Sequence, residues 1–157
     1  VIAQIDGLCI GAGVALAAAC DLRLAARDAR FAITPAKLGL IYSLADTARV
    51  MALVGPGVTR DLLFTGRMID GVEAHAVGLV GAVHASDDLA DAVAEKAALI
   101  GANSRWSHAR GKQIVRKILD GAGDDDAQTL GWFADATEGA DYREGIAAFA
   151  ERRKPRF

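Results

Sequence analysis

The sequence predicts an α/β fold followed by an all-helical region, on three observations. Val1-Ile-Ala-Gln-Ile-Asp6 is an apolar, β-branched segment of strand type. After Gly7 and the Gly11/Gly13 pair, the stretch from Ile10 to Asp21 turns into a run of small residues with high helix propensity. Beyond Ser86 the apolar residues recur only at helical spacing. Together these give a βαβ part and then a helical tail, with a boundary near Asn103.

Taken in order, Leu22–Ala26 alternates as a short strand, residues 27–30 form a polar turn, and Phe31-Ala-Ile33 resumes extended structure. Thr34-Pro35 ends that strand, because proline donates no ladder hydrogen bond. Residues 36–43 read as an irregular loop around Gly39. Ser43 is placed to cap a helix over 44–54, with Asp46 in its first turn. Gly55-Pro56-Gly57 breaks that helix, and Pro56 starts the next, over 58–64. Asp70 and Glu73 predict a capping box for a short helix ending at Gly78, and residues 79–83 predict a strand.

In the tail, Leu89, Val93, Ala97 and Ile100 share one helix face, which Asn103-Ser104 interrupts. A second helix carries Ile114, Val115, Ile118 and Leu119 on one face and ends near Gly121. The acidic residues 123–126 read as a solvated loop or helix start rather than a metal site. A helix follows over 127–138. Asp141 and Glu144 then predict another capping box, leading a last helix with Tyr142, Ile146 and Phe149 on one side. No internal repeat is visible in the sequence.

Composition excludes several classes of function. The chain has 157 residues, half of them apolar (52%), and a net charge of −2 with both signs interspersed. Nothing here points to nucleic acid or an anionic membrane. Cys9 and Cys20 lie within apolar runs without metal-ligand spacing, which predicts core thiols in a reducing compartment. No apolar run is long enough to span a bilayer and no secretory signal precedes Val1, so the expected location is cytoplasmic. Val1 opens directly into a strand without an initiator methionine, and the chain is expected to begin mid-fold. His75, His84 and His108 lack a nucleophile partner and read as structural or solvated.

The glycine turn is the first candidate site. A strand, a glycine turn and a helix mouth expose unpaired backbone N–H groups beside a positive dipole end, which suits a bound anion or a developing oxyanion. The other reading is a turn that merely lets a small-residue helix pack closely. A dinucleotide fingerprint would need a third glycine where Leu16 stands, and no Gly-Lys-Ser/Thr loop occurs.

The ordered motifs Val-Ile-Ala-x-Ile-Asp-Gly, Ile-Gly-Ala-Gly, Ala-Cys-Asp-Leu-Arg, Ala-Arg-Phe, Leu-Gly-Leu, Leu-Val-Gly, Leu-Leu-Phe-Thr-Gly-Arg and Gly-Leu-Val resemble the crotonase (enoyl-CoA hydratase/isomerase) superfamily. The ending from Arg143 to Phe157 looks like that family's C-terminus. The resemblance covers this whole chain but only the C-terminal part of the family pattern. It implies a spiral of β-β-α turns, with 1–102 as the C-terminal part of the core. It further implies that 103–157 is a helical region that packs into homotrimers or homohexamers. It implies an acyl-CoA thioester as substrate, with coenzyme A as part of it and no separate cofactor or metal. Two backbone N–H groups would stabilise the enolate-like oxygen. One falls on Ala12, between Gly11 and Gly13; the other belongs to an Ala-Phe-x-x-Gly-x-Asp stretch outside this sequence.

Hydratases of the family carry two glutamates at positions that are Ala15 and Pro35 here. Hydration needs a base for water and an acid to deliver a proton. Neither residue serves, which also argues against an isomerase working from the later position. The segment Phe-x-x-Thr-Pro-x-x-Leu-Gly-x-x-Tyr-x-Leu resembles the corresponding loop of methylmalonyl-CoA decarboxylase, a relative that keeps the first glutamate. That resemblance implicates Thr34 and Tyr42 in the pocket for a departing carboxylate. Such chemistry needs no base to start it, and hydroxyls donate to a carboxylate that a glutamate would repel. At the far end, the resemblance implies a last helix that reaches a neighbouring subunit, with Phe149 and Arg152 at the positions that touch the adenine and phosphate of coenzyme A; the other reading is that Phe149 serves trimer packing. The expectation is therefore an acyl-CoA enzyme favouring decarboxylation or a related carbon–carbon bond reaction. The rivals are a catalytically silent acyl-CoA-binding or assembly protein and an inactive fragment.

Overall fold

The computed structural model describes residues 1–157. Two compact units follow one another along the chain, Val1–Glu95 and Lys96–Phe157. In the first unit, strand β1 (Ile2–Ile5), strand β2 (Leu8–Ile10) and helix α1 (Ala12–Ala19) make one turn. Strands β3 (Leu22–Ala26) and β4 (Arg30–Ala32), with helix α2 (Leu44–Thr65), repeat that order. Strand β5 (Met68–Asp70), helix α3 (Gly71–Ala76) and strand β6 (Ala82–His84) then close the strand-bearing part.

The successive turns stack. β1 pairs in parallel with β3 and β3 with β6, while β2 pairs in parallel with β4 and β4 antiparallel with β5. Each turn thus adds one strand to each of two small sheets. The repeat that the sequence does not show is present in the backbone, because burial selects residue class and not identity. β2 and β5 were not expected; at three residues each they are too short to reveal an alternation.

The core is built where the two sheets and the helices converge. Leu24, Ala25, Ala26, Phe31, Ile33, Val50, Leu62, Ile69 and Leu89 are all buried there. Small residues at 25 and 26 let neighbouring backbone approach β3 closely. Ser43 caps α2 through the Asp46 N–H at 3.1 Å, a contact worth about 1 kcal/mol. α2 is interrupted at Gly55, whose φ of 73° and ψ of 170° leave the helix just before Pro56, the break expected there.

Three local expectations need correction. Asp70 accepts the Glu73 N–H at 2.8 Å, but the Glu73 carboxylate pairs with Arg67 at 2.7 Å instead of closing a capping box. A charged guanidinium outcompetes a neutral amide for that carboxylate. Leu79 and Val80 belong to the turn after α3, both donating to the Ala74 carbonyl, so the strand begins only at Ala82. Residues 36–38, expected to be irregular, form a 3₁₀ turn with Pro35.

Helix α4 (Ser86–Gly101) leads from the first unit into the second, which holds α5 (Arg105–Leu119), α6 (Ala127–Glu138) and α7 (Ala140–Ala150). Asp126 caps α6 in a reciprocal box with Thr129, so the acidic segment starts a helix. Arg110 lies over Trp106 at 5.6 Å and over Trp132 at 5.0 Å, tying α5 to α6 by cation–π contact.

The capping box expected from Asp141 and Glu144 is absent, because α7 starts two residues earlier, with Gly139 as its N-cap. Asp141 instead accepts the Ser104 hydroxyl. Glu144 accepts from the Arg153 guanidinium and the Arg156 N–H, and the Arg153 guanidinium is the main reason its carboxyl is lowered from 4.5 to about 2. A carboxyl lowered in the folded state stabilises fully above its unfolded value and loses that contribution as pH falls through the folded one. Residues 153–157 are therefore expected to stay docked at neutral pH and detach between about pH 4.5 and 2. Loss of exchange protection at the Arg156 amide over that interval checks this.

Candidate functional site

The candidate site lies where β2 ends and α1 begins. Gly11 has φ 55° and ψ −109°, a conformation that only glycine takes without strain. That turn is pinned from outside. The Gly11 N–H donates to the Ala32 carbonyl at 2.8 Å, joining the ends of β2 and β4. The Gly11 carbonyl accepts the Ala15 N–H at 3.1 Å and the Tyr42 hydroxyl at 3.1 Å. Ala12 is therefore the first helical residue, and helix geometry provides no intrahelical acceptor for its N–H. Ala12 is an exposed residue, at the positive end of the α1 dipole.

Gly13 is not sterically required in the same way. A methyl there would meet the Cys9 Sγ at 3.7 Å, an ordinary contact. Burial pushes the Cys9 thiol up to about 11, so it remains a protonated core group. Cys20 donates to the Leu16 carbonyl at 3.4 Å; both cysteines are free thiols.

The structure brings the loop residues to the same turn. Thr34 lies two residues beyond Ala32, the acceptor of the Gly11 N–H, and precedes the 3₁₀ turn with φ −107° and ψ 7°. Its carbonyl accepts the Lys37 N–H, and its side chain makes no capping bond. Pro35, at the first position of that turn, is half-buried, as is Ala15 inside α1. Tyr42 packs its ring against the core. Its hydroxyl is pushed up to about 12, chiefly by burial and secondarily by Asp46, and so remains a donor across the physiological range.

Arg23 was not singled out from the sequence. It donates from Nε to Leu79 and from one Nη to Ala17 and Cys20, binding the carbonyl end of α1 to the turn before β6. A single arginine within a strand gives no sign of this, since all its acceptors are backbone carbonyls. His75 faces the Val80 carbonyl at 3.2 Å, a structural placement.

Phe149 and Arg152 lie in the helical unit. Phe149 is 85% exposed, near the end of α7. Arg152 has φ 55°, left-handed for a residue with a Cβ. It occupies the place usually given to glycine in a helix-ending motif, with Arg152 N–H to Phe149 and Arg153 N–H to Ala148. Arg152→Gly is expected to stabilise the protein by about 1 kcal/mol, read as a raised midpoint in thermal melting. The same unit has a cavity of about 510 Å³, lined by residues that include Trp106, Asp141, Tyr142, Ile146 and Phe157. None of the residues singled out from the sequence as site candidates borders it.

The sequence profile of the enoyl-CoA hydratase/isomerase family matches residues 1–157. The chain belongs to that family. Its relatives include a crotonyl-CoA hydratase from Syntrophomonas wolfei, 35% identical over 100% of this chain and 61% of that protein. The mouse mitochondrial methylglutaconyl-CoA hydratase is 32% identical over 99% of this chain and 51% of its own length. Among solved structures, an enoyl-CoA hydratase/isomerase family protein from Hyphomonas neptunium superposes with a TM-score of 0.95 at 40% identity, covering 99% of this chain and 60% of that one. An enoyl-CoA hydratase/carnithine racemase from Magnetospirillum magneticum gives 0.93 at 32% identity, over 99% of this chain and 58% of that one. The chain thus spans between about half and three-fifths of the length of these family members. The expected α/β crotonase-like architecture is the one observed. No helix is long and apolar enough to cross a membrane.

Proposed function

We propose that this family member acts on an acyl-CoA thioester by stabilising an enolate oxygen with the Ala12 N–H, and that its chemistry is decarboxylation rather than hydration. The observation that carries the reading is the helix mouth: the Ala12 N–H stands first in α1, behind a glycine turn held by Ala32, Ala15 and Tyr42. Fixed donors of this kind each lower an enolate-forming barrier by roughly 3–4 kcal/mol. In the family a second donor belongs to an Ala-Phe-x-x-Gly-x-Asp stretch, a motif that the 157 residues do not contain.

In the proposed reaction the bond between the α-carbon and the substrate carboxylate breaks and CO₂ departs. Its electron pair passes into the enolate, whose negative oxygen rests on the Ala12 N–H. A proton from water then returns to the α-carbon. Thr34 offers a hydroxyl to the departing carboxylate, and Ala15 and Pro35 keep the pocket free of a competing anion. Tyr42, the other candidate for that carboxylate, already donates its one hydroxyl proton to Gly11. Phe149 and Arg152 are the candidate contacts for the adenine and phosphate of coenzyme A, which enters as part of the substrate with no separate cofactor.

We further propose assembly into trimers or hexamers through the helical unit. Val115, Ile118 and Leu119 on α5 and Phe133 on α6 are exposed apolar side chains, Phe133 at 78%. Given malonyl- or methylmalonyl-CoA, the protein is expected to release CO₂ while leaving crotonyl-CoA unhydrated. Rapid hydration of crotonyl-CoA would overturn the reading. Thioester binding by calorimetry without turnover would favour a silent acyl-CoA-binding protein, the reading that the absence of both glutamates also favours.

A further inference from the structure

We propose that Tyr42 is a positioning residue for the oxyanion donor, its hydroxyl holding and polarising the peptide unit whose N–H belongs to Ala12. This rests on the proposed role of Ala12. The Gly11 carbonyl and the Ala12 N–H are two ends of one planar amide. A proton donated to the oxygen end draws electron density away from nitrogen and strengthens the N–H as a donor. Tyr42 makes such a donation at 3.1 Å, and the Ala15 N–H makes another at 3.1 Å.

The second of these is an ordinary bond of the first helical turn, present in any helix. The first comes from a residue 31 positions away and is peculiar to this fold. With both lone pairs of the Gly11 oxygen engaged and the Gly11 N–H tied to Ala32, the plane of the amide has little freedom to rotate. The tyrosine is itself held firmly. Its ring packs on the core, two residues before α2 begins. Since α2 packs against α1, the donor and the amide it steadies share one rigid frame.

The bond also gives Tyr42 a different role from contact with a departing carboxylate. The hydroxyl has one proton, and here it goes to Gly11. Its action on substrate would therefore pass through Ala12. Cooperative strengthening of roughly 10–30% in a donor of this kind corresponds to about a two- to eight-fold change in turnover, with KM little altered.

The test compares wild type with Tyr42→Phe, which keeps the ring, and with Ser43→Ala, which weakens the neighbouring cap. In the ligand-free protein the Ala12 amide proton is expected to move upfield in Tyr42→Phe and to stay in place in Ser43→Ala, even if both variants melt earlier. An Ala12 amide unmoved by Tyr42→Phe, or moved equally by Ser43→Ala, overturns the proposal. A chromophoric cinnamoyl-CoA thioester then reads the polarisation of the bound carbonyl. A red shift in wild type that shrinks in Tyr42→Phe supports the proposal. No shift in wild type, with the Ala12 amide still responding to Tyr42, overturns the oxyanion reading of Ala12 and leaves the coupling between Tyr42 and the amide standing.

Discussion

Replacing Ala12 by proline is expected to lower turnover of a malonyl-type thioester by about 10²–10³-fold while leaving the protein folded. The helix accommodates the substitution. Ala12 is the first residue of α1, the position at which proline is most readily accepted, because its ring presets the helical φ and the missing N–H has no intrahelical partner. Gly11 before it is outside the right-handed helical region, so the usual clash between proline and a preceding helical residue does not arise. The donor is lost, and the ring Cδ stands where the amide hydrogen pointed, so the thioester oxygen is also kept away. Circular dichroism and thermal melting should match wild type, and the deficit should appear in kcat/KM. A folded Ala12→Pro protein with wild-type turnover would place the oxyanion elsewhere.

The second large effect is on stability, at the start of α3. Gly71 opens α3, and a Cβ built there would stand 2.1 Å from the Ala26 carbonyl oxygen and 3.0 Å from that of Arg27. Both obstacles are backbone, and Ala26 is fully buried at the end of β3. Gly71 also donates its N–H to Arg27 at 3.1 Å, which holds the approach close. Gly71→Ala is therefore expected to destabilise by about 3 kcal/mol, lowering the melting midpoint by roughly 6–12 °C. Gly111→Ala is the matching control, within α5 and with open space at its Cβ. It should stabilise by about 0.5–1 kcal/mol. Equal melting of Gly71→Ala and wild type would mean that β3 and α3 can part without loss.

These two residues show how differently the chain reveals its parts. The donor at Ala12 is legible because every feature that makes it is local: a strand, a glycine with φ 55°, and a run of alanines that propagates a helix. Gly71 is illegible. Its neighbours in sequence suggest a capped helix start, and nothing in them says that the end of another strand passes within contact distance. Arg23 is hidden for the same reason, since its three acceptors are main-chain carbonyls without a sequence signature.

Capping divides along the same line. Ser43 caps as the sequence predicts, and Asp126 realises the helix-start alternative of the acidic segment, because the N–H groups they accept lie two or three residues away. Glu73 and Glu144 do not. Arg67 lies six residues from Glu73, on the far side of β5, and Arg153 lies nine residues beyond Glu144, past the end of α7. Once the fold brings those guanidinium groups within reach, a charge-assisted pair displaces the weaker bond that spacing alone suggested.

By itself the sequence determined the order of the helices and of the longer strands, the helix mouth at Gly11–Ala12 and the family, since these follow from propensity, periodicity and motif over short spans. The tertiary structure alone decided that Tyr42 reaches the Gly11 carbonyl, that Gly71 admits no side chain and that Arg23 binds the end of α1. Those outcomes depend on where distant segments cross, and crossing points are set by the packing of the whole core rather than by any stretch of it.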